Sequence, residues 1–182
     1  MTAALLPIPG DPEKLSACQT FIVERLRNLL LEAGYRFDIV DAVITAQGFN
    51  PAHTNQSVKQ LTVWVERSDW HSILPAYARC VRITRDLTQR FDLDSGLFVE
   101  KSEKNLYSAL LQAEESLRLA HGFSADSFLT AFLPMLPVVT TFFEEVLVMA
   151  EDTTLRQNRL ALLQRIAALG DGIADLSKLE GF

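Results

Sequence analysis

Only two cysteines, Cys18 and Cys80, occur in 182 residues. Two thiols cannot build a disulfide framework or a thiolate metal cage, so reduced thiols in a cytoplasmic setting are the plain reading. Positive charge is also scarce: Lys and Arg total 17 against 23 Asp and Glu, a net charge of −6. Indiscriminate polyanion binding draws on counterion release from broad basic surfaces, so this balance excludes a general nucleic-acid binder and leaves room only for a local basic patch. No long apolar run is present. The most apolar stretch, residues 131–143, is interrupted by Pro134 and Pro137 and runs into Glu144 and Glu145. It falls short of the roughly 20 residues a membrane span needs, and no membrane association is expected. The start, MTAALLPIPGDPEK, lacks the basic flank and continuous apolar centre of a secretory signal.

The residues of catalysis are equally sparse. There is no Gly-rich phosphate loop and no G-x-S-x-G turn. His53, His71 and His121 are far apart, and none has a carboxylate or thiolate at metal-ligand spacing. The pairs Glu114–Glu115 and Glu144–Glu145 are sequence neighbours, which on a helix turns them about 100° apart and away from shared acid–base work. No catalytic site, metal or cofactor is expected within this chain.

What the sequence does hold is helical periodicity. Hydrophobic residues make up 48% of the chain, ample for one core. Residues 1–12, with Pro7, Pro9, Gly10 and Pro12, read as a linker or tail, and residues 13–182 as one helical domain. From 13 to 33, Leu15, Phe21, Ile22, Leu26, Leu29 and Leu30 recur at helical spacing opposite Glu24 and Arg27, and Gly34 is a fitting stop. A second helix is predicted from Phe37 to Gly48, followed by a turn through Asn50, Pro51 and Asn55. Residues 61–66 contain Val63-Trp64-Val65, which favour strand. Val58, Leu61 and Val65 share a helical face, however, and with no second strand-like run to pair with, helix is preferred. Further helices are predicted over 70–90, with Pro75 in the first turn, over 102–121, over 124–150 with a kink at Pro134 and Pro137, and from Thr153 toward Leu179 with breaks at Gly170 and Gly172. The expected fold is an all-α bundle of about six or seven helices.

Two polar features stand out against this pattern. Arg79, Arg82, Arg85 and Arg90 lie on the predicted fourth helix, opposed within the segment only by Asp86 and set away from its Tyr77–Val81–Thr84 stripe. Four arginines suit phosphate contacts or stacking on unpaired RNA bases; a solvated face with Arg82 paired to Asp86 is the structural alternative. The second feature is FFEEVLVMAEDTTLRQNRLALL, residues 142–163. Phe142, Val146 and Met149 share a helical face, Asp152 fits as the N-cap of the next helix, and Arg159 falls on that helix's apolar stripe. A buried guanidinium needs a carboxylate, and Glu151 and Asp152 are the nearest in sequence. An Asp152–Arg159 pair joining two helices is the expectation, with ligand contact as the alternative.

FIVERLRNLLLEAGYRFDIVDAVI (21–44), EKNLYSALL (103–111), the 142–163 stretch and ADLSKL (174–179) together resemble the C-terminal region of the β subunit of bacterial glycyl-tRNA synthetases. In that family the region is a helical anticodon-binding domain of the type shared with arginyl-tRNA synthetases, which carry a similar V-M-x-E-D … L-R-x-N-R-L-x-L-L pattern. The FIVERL and ADLSKL segments favour the glycyl family over the arginyl one. Family members carry a Lys-Arg pair followed shortly by Asn-Ile in the fourth helix. Here the place reads Cys80-Val81-Arg82-Ile83-Thr84-Arg85, so Arg82 matches the family arginine while Val81 and Arg85 stand in for the Lys and Asn. The resemblance implies an RNA-binding role for Arg79, Arg82, Arg85 and Arg90 toward the anticodon loop of tRNA(Gly). It further implies partnership with the rest of a β subunit and with an α subunit, where ATP-dependent chemistry takes place. A domain that mainly docks onto other parts of the synthetase is the competing expectation.

Overall fold

The computed structural model describes residues 11–120 and 124–182. Most of the predicted linker, including Pro7, Pro9 and Gly10, and also His121, lie outside the described residues. The regular structure of the described part is helical, with no strand among these residues: α1 (Pro12–Glu32), α2 (Phe37–Gln47), α3 (Pro51–Val65), α4 (Trp70–Thr84), α5 (Lys101–Leu119), α6 (Ala125–Phe132), α7 (Leu136–Glu145) and α8 (Thr153–Ala167). Counting α6 and α7 as the one kinked element predicted gives seven rods, and the all-α expectation holds.

Short polar residues set the helix starts. The side chains of Asp11, Asn50, Ser124 and Asp152 each accept a backbone N–H from the first turn of α1, α3, α6 and α8. Pro12 and Pro51 occupy the first turns of α1 and α3, where a missing N–H costs nothing. Pro12 therefore opens a helix instead of closing a linker, and the predicted 50–55 turn is helical from Pro51 onward. The Val63-Trp64-Val65 run is helical as preferred. Val58, Leu61 and Trp64 are buried on one side while Val63 faces solvent, and the Trp64 indole N–H donates to Asp126 Oδ1 at 2.9 Å, tying α3 to α6.

Two helix ends and the place of one proline differ from the periodicity reading. Helix α4 ends at Thr84, six residues early, where the Thr84 hydroxyl donates to the Cys80 carbonyl at 2.9 Å. Pro75 lies inside α4 rather than in its first turn. After α7 the chain leaves the helix at Val146 (φ −112°, ψ 121°). Val146, Val148 and Ala150 are buried while Leu147 and Met149 are exposed, so Met149 does not share the inward face of Phe142. β-Branched residues alternating along an extended segment bury every second side chain.

The core is organised by α4, α8 and the α6–α7 rod. The Tyr77 ring meets Phe128 and Phe132 edge-on at 5.3 and 5.4 Å between centroids. Residues Ala125–Glu145 are long and apolar enough in composition to cross a membrane, yet Phe128, Phe132, Met135 and Phe142 are buried against neighbouring helices. This rod is a core element of the bundle.

Candidate nucleic-acid interface

Between α4 and α5 the chain runs without α-helix from Arg85 to Glu100, and two amides of α8 hold it. Gln164 accepts the Phe91 N–H at 3.1 Å and donates to the Gln89 carbonyl at 2.8 Å. Two turns earlier, Asn158 accepts the Asp94 N–H at 2.8 Å and donates to the Asp94 carbonyl at 3.0 Å. Each side-chain amide offers the backbone the donor–acceptor pair that a neighbouring strand would supply. Arg90, flanked by the two residues that Gln164 grips, is thereby set at a fixed place.

That place is the rim of a groove of about 420 Å³ between the end of α4, the end of α8 and the C-terminal turn, lined among others by Tyr77, Val81, Arg85, Arg90, Asp171 and Phe182. The Arg82 guanidinium carbon lies 5.4 Å from the centre of the Phe182 ring, within cation–π range. Arg90 Nη2 is 3.6 Å from Asp171, and both side chains are mostly exposed. Such a pair is worth little in water and leaves the guanidinium available. At the floor, the Tyr77 hydroxyl donates to the Ala167 carbonyl at 2.6 Å. Burial, aided by the nearby Asp171 carboxylate, pushes the Tyr77 phenol far above its usual range, so it stays a proton donor. Gly170 leaves room for that hydroxyl: a Cβ there would stand 2.7 Å from Tyr77 Oη.

The C-terminal turn that carries Phe182 is tethered to α2. Buried Asp38 accepts the Glu180 N–H at 3.0 Å, both ends of the Arg36 guanidinium at 3.1 and 2.7 Å, and the Ile39 N–H at 3.0 Å. Burial alone works to raise the Asp38 pKa, but the hydrogen bonds from the Glu180 N–H and Arg36 and the Arg36 charge together outweigh it and hold the carboxyl below the ordinary range. The Asp175 N–H adds a bond to the Ala42 carbonyl at 2.8 Å.

All four sequence-derived arginines are exposed. Arg85 and Arg90 line the groove and Arg82 adjoins it through the Phe182 ring, whereas Arg79 turns toward α7 and lies over the Phe143 ring at 4.2 Å. Because α4 stops at Thr84, Arg85 is its cap and Arg90 belongs to the following loop, so the four do not sit on one helix. Asp86 approaches Arg85, at 3.7 Å on the surface, instead of Arg82. Phe182, Gln164 and Asp171 were not singled out by sequence. Their part depends on which segments meet, and no local spacing marks it.

The expected Asp152–Arg159 pair is not formed. Asp152 caps α8, accepting the Leu155 N–H at 2.9 Å. Arg159 lies seven residues further on, about 10 Å of helical rise, beyond the reach of that carboxylate. It donates instead to Glu103 Oε1 and to the Leu147 carbonyl, both at 2.8 Å, and is buried. The other oxygen of Glu103 accepts the Val99 and Glu100 N–H groups at 2.8 and 2.6 Å. Arg156 takes the reach-back role across the preceding turn, donating to the Ala150 carbonyl at 2.9 Å. Arg156, Asn158 and Arg159 thus latch α8 to α5 and to the loops on either side.

Sequence comparison fits this architecture. The chain is 35% identical over 163 residues to a glycine–tRNA ligase beta subunit of Moorella thermoacetica, covering 87% of this chain and 23% of the relative. It is 31% identical over 183 residues to the corresponding beta subunit of Lactobacillus helveticus, covering 98% and 25%. A chloroplastic/mitochondrial glycine–tRNA ligase of Arabidopsis thaliana is 28% identical over 184 residues, covering 100% and 17%. The chain therefore spans a quarter or less of the length of these relatives. The model of the DALR anticodon binding domain matches residues 73–174, from α4 through the turn after α8, which is more than half of the chain. The chain belongs to the DALR anticodon-binding domain family.

Proposed function

We propose that this chain holds the anticodon loop of tRNA(Gly) for a glycine–tRNA ligase, working in the cytoplasm beside the remainder of a β subunit and an α subunit. Aminoacylation with ATP takes place elsewhere in that assembly. Binding energy collected far from the reacting ester then positions the acceptor end for chemistry.

The observation that carries this reading is a groove lined by Arg85 and Arg90 whose edge bears Phe182, with the Arg82 guanidinium set against that ring. Unpaired bases are recognised by stacking on aromatic or guanidinium planes, with cations on the backbone. The net charge of −6 keeps the rest of the surface unattractive to RNA. The test is titration of a glycine anticodon stem-loop against one bearing an arginine anticodon, at two salt concentrations. Three phosphate contacts predict a log–log salt slope of about −2 for an unpaired strand. Arg82→Ala should weaken binding and flatten that slope. Binding that ignores both salt and Arg82 would leave a docking role instead, and preference for the arginine anticodon would reassign the tRNA.

A further inference from the structure

Helix α1 carries two apolar faces, and only one of them is used. Val23, Leu26, Leu30 and Leu31 turn toward the bundle, where Val23 packs against Gly48 and Leu30 is buried. Arg27 fastens that side to α2 through Asp41, with Nε and Nη2 at 2.6 and 2.9 Å from the two carboxylate oxygens. On the other side Leu15 is 61% exposed, Phe21 60%, Ile22 46% and Leu29 63%, and Cys18 is exposed among them. Leu15, Cys18, Ile22, Arg25 and Leu29 follow one another at intervals of three and four, the spacing of a seam that receives a second helix. Every residue from 12 to 20 is exposed, so the first half of α1 stands clear of the body. An isolated helix so apolar on its free side gains little stability by itself and leaves a patch of the kind that marks an interface.

The comparisons narrow what covers it. The DALR match begins inside α4, so α1, α2 and α3 lie outside it. The similarity to beta subunits, by contrast, runs over 98% of the chain and includes α1. In those relatives three quarters or more of the polypeptide lies beyond the matched portion. We infer that the Leu15–Cys18–Ile22–Leu29 face of α1 is the seat for an apolar helical surface in that remaining part of a β-type polypeptide, fixing the anticodon module to the synthetase body. The inference rests on the kinship with beta subunits and not on RNA binding.

Cys18 supplies the readout, because Cys80 is fully buried and serves as an internal control. Maleimide labelling of Cys18 is followed peptide by peptide in the free chain and in a chimera that replaces the matched portion of the Moorella thermoacetica beta subunit with this chain. Docking slows Cys18 labelling by at least about tenfold in the chimera, since reaction then requires the interface to open. Combined Leu15→Asp, Ile22→Asp and Leu29→Asp changes, at positions exposed in the free chain, restore the fast rate while the helical circular dichroism persists. An unchanged rate in the chimera overturns the inference. So does protection already present in the free chain that grows with its concentration and accompanies a doubled sedimenting mass, which would give the face to a second copy. If the chimera does not fold, the separately produced remainder of the same beta subunit is titrated into the free chain, and absence of Cys18 protection again overturns it. No RNA is present, so failure here leaves the anticodon reading standing, and failure to bind the stem-loop leaves this one standing.

Discussion

The Nε of Arg159 on α8 stands 2.8 Å from Oε1 of Glu103 in the first turn of α5, with both side chains withdrawn from solvent. The same guanidinium holds the Leu147 carbonyl, and the same carboxylate holds two backbone N–H groups at the start of α5. One ion pair therefore fastens the start of α5, the 146–150 segment and α8 to one another. Arg159→Ala should lower unfolding stability by about 3–5 kcal/mol, because it strands a buried carboxylate. Combining Arg159→Met with Glu103→Gln should cost clearly less than the sum of the single changes, and urea unfolding of the four proteins measures the coupling. Additive losses would mean that the two side chains do not act on one another.

Asp38 sets an acid limit on the C-terminal turn. Its folded pKa is held below the ordinary value, so the unfolded state binds the proton more readily. The stability it provides is fully present above the unfolded carboxyl pKa of about 3.9 and is lost as pH falls through the lower folded value. Unfolding midpoints in urea should fall below about pH 4 in the native sequence. Asp38→Asn should be weaker already at pH 6 and should show a shallower drop on acidification.

Gln164 is a positioning residue for Arg90. Removing its two hydrogen bonds to the Gln89 and Phe91 backbone releases the loop without touching the guanidinium. Gln164→Ala should weaken stem-loop binding by about threefold to tenfold, the equivalent of roughly one hydrogen bond's worth of ordering. It should flatten the salt slope in the same sense as Arg90→Ala. A variant that loses stability but keeps the slope would mark Gln164 as structural alone.

Gly170 tests the floor of the groove. A methyl group there would meet the Tyr77 hydroxyl at 2.7 Å and the edge of the Phe128 ring at 3.4 Å. Gly170→Ala should cost about 1–3 kcal/mol by overpacking. Tyr77→Phe alone should cost about 0.5–1.5 kcal/mol for the lost bond to the Ala167 carbonyl. In the double variant the smaller ring edge should recover part of the alanine penalty, which thermal unfolding would detect.

Helix existence was legible because periodicity and caps are local. Asp152 before α8 and Gly34 after α1 mark boundaries by side-chain or backbone chemistry confined to a few residues. Where local signals run on, helix ends are not legible: Leu87 continues the apolar stripe and predicts α4 as far as residue 90, although the Thr84 hydroxyl already closes the turn. The VLVMA run of 146–150 fits either period, and only packing of its alternate residues decides for the extended one.

The sequence by itself determined an all-α chain, the Asp152 cap, the arginine-bearing segment and the kinship carried by four separated motifs, since each depends on residue order within a turn or two. Tertiary structure decided that Arg159 meets Glu103 rather than Asp152, that Arg79 parts company with Arg82, Arg85 and Arg90, and that Phe182 edges their groove. Partners in those contacts come from helices separated by tens of residues, and a buried charge or a surface cleft takes whichever neighbour the packing of the helices brings within reach.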